Sequence, residues 1–168
     1  MDVFKEQLVK KIPSTKDKLQ GASYYFLAIV VTLFSFLILP QFAIFIAAAV
    51  FFGAYYLNTF LKIEYEYIFT NGEIDIDVIY NRIRRKKKVN FDVKNIELMT
   101  YIGNEKAAHT LSNTEVTMDC SSGVNTDKTY AIVIPIKGKK TKLLVEPNEK
   151  LLECFENKLN RLTFIKKP

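Results

Sequence analysis

The chain has two cysteines, Cys120 and Cys154, and one histidine, His109. A thiol beside an imidazole can act as a nucleophile with its base, so Cys120 with His109 is the one pairing of residue types that could support covalent catalysis. The local sequence argues for plainer roles. Cys120 leads into Ser121-Ser122-Gly123, which reads as a turn, and Cys154 lies among helix positions near Leu151 and Phe155, where a small buried hydrophobe is ordinary. Two cysteines without C-x-x-C spacing make no zinc site. Asp119 and Asp127 bracket a polar loop, but their spacing is not that of an EF-hand and no bidentate Glu closes it. The phosphate-loop, dinucleotide, nucleophile-elbow and zincin motifs are absent. The expectation is a chain with no catalytic residue, no metal and no cofactor; a Cys-dependent enzyme is the alternative of another class.

The stronger constellation is cationic. Arg82, Arg84, Arg85, Lys86, Lys87 and Lys88 surround Ile83. Cations near an anionic leaflet gain about 1 kcal/mol each, so this run fits contact with lipid headgroups, nonspecific rather than through a stereospecific phosphoinositide pocket. The plain alternative is a solvated strand that helps to set topology. The net charge of +6 also suits nucleic acid, but the aromatics sit on buried strand faces instead of interleaving with the run, so no nucleic acid is expected.

The elements that position these groups are written in the charge distribution. The chain carries 24 Lys+Arg and 18 Asp+Glu, and none of them lies in residues 19–61. A hydrocarbon core about 30 Å thick takes about 20 helical residues. One helix through this block would be nearly twice too long, and Pro40-Gln41 interrupts it near the middle. A hairpin of two spans, about 23–39 and 42–61 within a segment 21–62, fits better. Tyr24, Tyr25, Tyr55 and Tyr56 would then anchor one interface. Basic residues precede the first span (Lys5, Lys10, Lys11, Lys16, Lys18) and follow the second (Lys62, then the cationic run), which predicts a multi-pass membrane protein with both termini cytoplasmic. A cleaved signal peptide fits poorly, because the apolar block is too long and starts too late. Ala43, Ala47–Ala49, Gly53 and Ala54 suit packing of the two spans on each other. No ionisable residue lies in either span, which disfavours a channel or transporter.

Residues 1–20 form a basic segment in which Phe4, Leu8 and Ile12 recur at helical spacing. Two readings stand open: an amphipathic helix on the membrane surface, or a basic tail. Ser14 is a candidate N-cap. Beyond the hairpin, residues 63–168 read as a cytoplasmic β domain. Ile63, Tyr65, Tyr67 and Phe69 alternate with polar neighbours, as do Ile74, Ile76, Val78 and Tyr80. Between them Asn71-Gly72 is the preferred type I′ turn, in which both residues take positive φ. It would set Phe69 opposite Ile74, Tyr67 opposite Ile76 and Tyr65 opposite Val78. Further strands are expected at 83–91, 96–101, 115–120, 129–136 and 141–145, with a polar loop through about Asn113 and Pro135 marking an edge strand or bulge. A helix at about 148–163 would carry Leu151, Leu152, Phe155, Leu159 and Leu162 on one stripe.

Seven antiparallel strands closed by a C-terminal helix resemble a pleckstrin-homology-like barrel or sandwich. The run EYEYIFTNGEIDIDVIYNRIRRKKKVNFDVKNIE is similar to the opening of bacterial PH-like domains that follow paired membrane spans. FKEQLVKK at 4–11, the apolar block, EYEYIFTNGEIDID at 64–77, DCSSG at 119–123 and EP at 146–147 resemble a family of short bacterial two-span membrane proteins described as a domain of unknown function. The resemblance implies an α+β membrane protein of the inner membrane and carries no activity with it. The functional expectation is therefore a membrane-anchored, noncatalytic cytoplasmic interaction or scaffold module. It would touch the lipid bilayer and bind a protein partner or itself. The alternative is an anionic-lipid-sensing module that uses the basic strand.

Overall fold

Ser14 fixes where the first helix begins. Its hydroxyl accepts from the Asp17 N–H at 3.2 Å and the Asp17 carboxylate accepts from the Ser14 N–H at 3.0 Å, a reciprocal capping box. In this computed structural model, which describes residues 3–160 and 162–167, helix α1 spans Thr15–Ile38. It therefore starts earlier than the apolar block itself. Leu39 leaves the helix because the following proline disfavours helical backbone before it. A 3-10 turn, Pro40–Phe42, leads into α2, Ala43–Thr59. Helix α1, and the segment Pro40–Thr59 made of the 3-10 turn and α2, are long and apolar enough to cross a membrane.

The chain divides into two units: Pro13–Ile63 with Tyr80–Arg84, and a β unit formed by the remaining segments. Within the helical unit the buried residues of α1 are Gly21, Ala28 and Ser35, one heptad apart, and those of α2 are Ala43 and Ala54. Small side chains let the two helices approach closely. The closest approach is at Gly21, where a Cβ would stand 2.7 Å from Asn58 Oδ1. Of the small residues expected to pack the two helices on each other, Ala43 and Ala54 are buried, whereas Ala48 and Ala49 are exposed and a Cβ at Gly53 would meet open space. Their outward faces expose Phe26, Leu27, Leu33, Phe34, Ile44, Phe45 and Phe52.

The β unit opens with a correction. Phe4–Lys10 is not an amphipathic helix but strand β1, paired antiparallel with β2, Ile63–Thr70, from Phe4 opposite Thr70 to Lys10 opposite Glu64. Side chains alternate faces in a strand, so Val9 is buried and Leu8 is 54% exposed, the reverse of the helical reading. Ile12 N–H continues the attachment by donating to the Ser122 carbonyl at 2.7 Å. Residues 1 and 2 of the predicted basic segment lie outside the described residues, as do residues 161 and 168 of the predicted C-terminal part.

Strands β3 (Glu73–Tyr80) and β4 (Arg84–Asp92) complete a four-stranded sheet in the order β1-β2-β3-β4. Asn71 and Gly72 have φ of 53° and 111°, as the I′ turn requires, and Asn71 Oδ1 also accepts from Val3 N–H at 2.9 Å. The second sheet contains β5 (Leu98–Tyr101), β6 (Val116–Asp119), β7 (Tyr130–Ile136), β8 (Lys139–Val145) and β9 (Phe164–Ile165), ordered β6-β8-β7-β5-β9. Of the expected barrel or sandwich of about seven antiparallel strands, the closed barrel and the uniformly antiparallel pairing are corrected here. Among the described residues there are two open sheets, and β6–β8 and β5–β9 run parallel.

One core lies between the sheets. Tyr67, Ile74, Ile76 and Phe91 from the first meet Ile132 and Val145 from the second, under Leu151 and Phe155 of the helix Glu149–Glu156. The residual void among them is only about 10 Å³. Phe69 meets Phe155 edge to face at 6.3 Å. A second apolar cluster joins Ala131 and Val133, on the opposite face of β7, to Ala107 and Leu111. The segment expected as a polar loop supplies that cover through the short helix α3, Ala108–Ser112. The helix Glu149–Glu156, α4 in chain order, is shorter than its apolar stripe suggested, and Leu162 beyond it is 88% exposed. Strand β7 is central, not an edge. Pro135 is tolerated because β5 pairs only as far as Val133, so Pro135 faces β8 alone.

Candidate functional site

The cationic run lies at the start of β4, and the acidic residues of its neighbours divide it. Arg85 Nη2 stands 2.7 Å from Glu66 Oε1 and 2.5 Å from Oε2, with Arg85 Nε 3.8 Å from Asp77. Lys87 Nζ is 2.5 Å from Asp75, which raises the lysine pKa. Glu66 is only 2% exposed. Burial, together with the neighbouring Glu6, raises its pKa against the opposing pull of Arg85. Arg84, Lys86 and Lys88 are exposed and form no ion pair among the described residues. The six cations that look equivalent in sequence are thus of different kinds. Two of them neutralise carboxylates on β2 and β3.

The four tyrosines of the apolar helices share one end of the helical pair. Because Gly21 is level with Asn58, Tyr24 and Tyr25 of α1 stand at the same end of the helical pair as Tyr55 and Tyr56 of α2. Gln20 Nε2 donates to Tyr24 Oη at 2.7 Å, and Tyr56 meets Phe60 edge to face at 5.1 Å.

The thiol and the imidazole differ in their surroundings. His109 is exposed on α3, whereas Cys120 is 0% exposed and burial pushes its thiol up to about 12. Cys154 is also buried and raised by the same cause. A thiol nucleophile needs the thiolate, and burial disfavours that form at both positions. Neither cysteine of the folded chain is expected to react with a water-soluble maleimide at neutral pH, whereas both should react in denaturant; mass spectrometry of the labelled protein reads the difference. The two aspartates serve separate loops. Asp119 Oδ1 accepts from the Ser121 N–H and hydroxyl at 2.9 and 2.6 Å, while Asp127 pairs with Lys167 at 3.0 Å. No group of three or more metal-ligating side chains is present among the described residues.

A feature absent from the sequence reading is a groove of about 740 Å³ beside β1 and α4. Its walls include Gln7–Lys10 of the edge strand, Leu152 of α4 and the lysines Lys128, Lys150 and Lys167. Gln7 bridges the two walls: its Nε2 donates to the Glu146 carbonyl at 2.8 Å and its Oε1 accepts from Asn148 N–H at 2.7 Å. Ser122 and Thr129 hydroxyls donate to Glu146 Oε1 at 2.8 and 3.2 Å. Beneath them Tyr67 Oη donates to the Cys120 carbonyl at 2.5 Å and accepts from Glu146 N–H at 3.2 Å. Tyr67→Phe would strand two buried backbone groups and is expected to cost about 1–3 kcal/mol, measured by urea unfolding of the detergent-solubilised chain. The groove exists only because residues 4–10 join the sheet. The alternation of Lys5, Gln7 and Val9 is the one sequence signal that could have revealed it.

A family model described as a bacterial PH-like domain, DUF6106, matches residues 1–165. No curated protein and no solved structure matches the chain.

Proposed function

From the premise that this chain belongs to the DUF6106 family of bacterial PH-like domains, we propose that it is a noncatalytic interaction module anchored in the inner membrane by its helical hairpin, with the β unit in the cytoplasm. The observation that carries this reading is the pairing of β1 with β2. These strands flank the apolar segment on either side, and their ladder brings its entry and exit back to one β unit. If the helices cross a bilayer, they must therefore cross it an even number of times. The outward apolar side chains of α1 and α2 support lipid as their surroundings, since a contiguous face of this size is rare on a water-soluble surface. Lysines on both flanks support a cytoplasmic placement.

The groove beside α4 supports the interaction role. β1 is an edge strand, so among the described residues one backbone edge has no strand partner, and four consecutive β1 residues line the groove. An extended segment of a protein partner, or of a second copy, could add to that edge with side chains resting on Leu152. Alkaline carbonate extraction of membranes tests the anchor: the full chain is expected to stay with the bilayer, and its release into the supernatant would refute the reading. A photoreactive residue in place of Leu152 tests the groove. An adduct with one reproducible protein, lost when Gln7→Pro disrupts the β1 edge, is expected; adducts unchanged by that substitution would argue against the groove.

A second reading, lipid-surface contact through β4, is favoured by the exposure of Arg84, Lys86 and Lys88. Each could gain about 1 kcal/mol near an anionic leaflet. Such a contact would be screened by salt.

A further inference from the structure

The β3–β4 turn offers a more specific membrane contact than the charge of β4. Asn81 and Arg82 both have positive φ, 49° and 60°. That conformation is tolerated by asparagine and unfavourable for arginine. The turn is closed by Ile83 N–H donating to the Tyr80 carbonyl at 3.0 Å. This backbone leaves Ile83 84% exposed, with Arg82 and Arg84 on either side. An isoleucine at the tip of a strained turn between two arginines has no packing role in the β unit.

The turn belongs with the helical unit, and its attachment gives its level. Asn81 N–H donates to the Lys62 carbonyl at 2.8 Å, and the Tyr80 ring lies 6.4 Å from Phe60. Phe60 in turn packs on Tyr56. The turn is thus fastened to the end of α2 that carries the tyrosines and the first lysine after the apolar block. If that helix spans the bilayer, this end lies in the headgroup zone, where aromatic and basic residues collect.

We infer that the Asn81–Arg84 turn is a membrane-docking tip that inserts Ile83 at the boundary between headgroups and acyl chains, with Arg84 on anionic lipid. The inference rests on the membrane-anchored reading above. It adds an apolar contact beside the electrostatic one, since an apolar side chain flanked by cations suits the interface of an anionic leaflet.

The test uses the full chain in vesicles of phosphatidylcholine with one-third phosphatidylglycerol. An environment-sensitive fluorophore is attached to Ile83→Cys, with Phe45→Cys on the outward face of α2 and Leu162→Cys in the β unit as references. The native thiols are buried and stay unlabelled. At position 83 the emission is expected to shift to the blue and to be quenched by lipid with its nitroxide near the headgroup, and to stay so in high salt. Position 45, about one helical turn from Gln41 and so near the opposite interface, should also be quenched by lipid-borne nitroxide, and position 162 should not. Quenching at 45 without any at 83 overturns the docking tip while leaving the anchor intact. Quenching at 83 that disappears in salt overturns insertion and leaves electrostatic contact alone. If neither 45 nor 83 is quenched, the membrane reading fails and the tip with it.

Discussion

Val9→Asp is expected to destabilise the β unit by about 3 kcal/mol or more, whereas Leu8→Asp, one residue away, should cost less than about 1 kcal/mol. Val9 is 8% exposed and faces Tyr65 across the β1–β2 ladder. Aspartate there forfeits the burial of an aliphatic side chain, about 1.5–3 kcal/mol, and places a carboxylate at a buried position. Leu8 is on the exposed face, opposite Glu66. The amphipathic-helix reading predicts the opposite order, because Phe4, Leu8 and Ile12 would form its apolar face. Urea unfolding in detergent, followed by tyrosine fluorescence in a chain without tryptophan, measures both variants. Equal effects, or a larger effect at Leu8, would contradict the strand.

Ile132→Ala is expected to cost about 2–5 kcal/mol. Ile132 is fully buried at the centre of β7 and contributes to the core between the two sheets. That core contains a void of only about 10 Å³, so the removed atoms leave a cavity whose rigid walls, including Tyr67, Phe91 and Phe155, cannot easily collapse. Leu162→Ala, at a solvent-exposed turn, supplies the comparison and should be near neutral. The same urea titration reads both. A loss at Ile132 below about 1 kcal/mol would mean that the sheets do not meet there.

The legible parts of the fold were those whose patterns have one interpretation. Residues 63–80 alternate with period two around an Asn-Gly turn, and both strands form with Tyr65, Tyr67, Phe69, Ile74, Ile76 and Val78 buried. The Pro40 break appears as the 3-10 turn between α1 and α2. Residues 4–10 were misread because Phe4, Leu8 and Ile12 suit a helical period as well as an exposed strand face. Gln7, which faces inward, disguises the alternation. Its inward position is explained only by Glu146 and Asn148, which lie far along the chain. Ala107 and Leu111 were hidden for a related reason: two apolar residues in a polar stretch acquire meaning only when the second sheet needs a cover. The cationic run was visible as composition. Its division was not, since Glu66 and Asp75 reach Arg85 and Lys87 only across the sheet.

The central claim is that a two-span hairpin returns both of its ends to a single cytoplasmic β unit. Membrane-impermeant thiol labelling of intact and permeabilised cells tests it most directly, with cysteine introduced singly at Phe4, Gln41 and Leu162, all exposed positions. Labelling of position 41 in intact cells, with positions 4 and 162 reacting only after permeabilisation, is the expected result. Labelling of positions 4 and 162 from opposite sides of the membrane would contradict it.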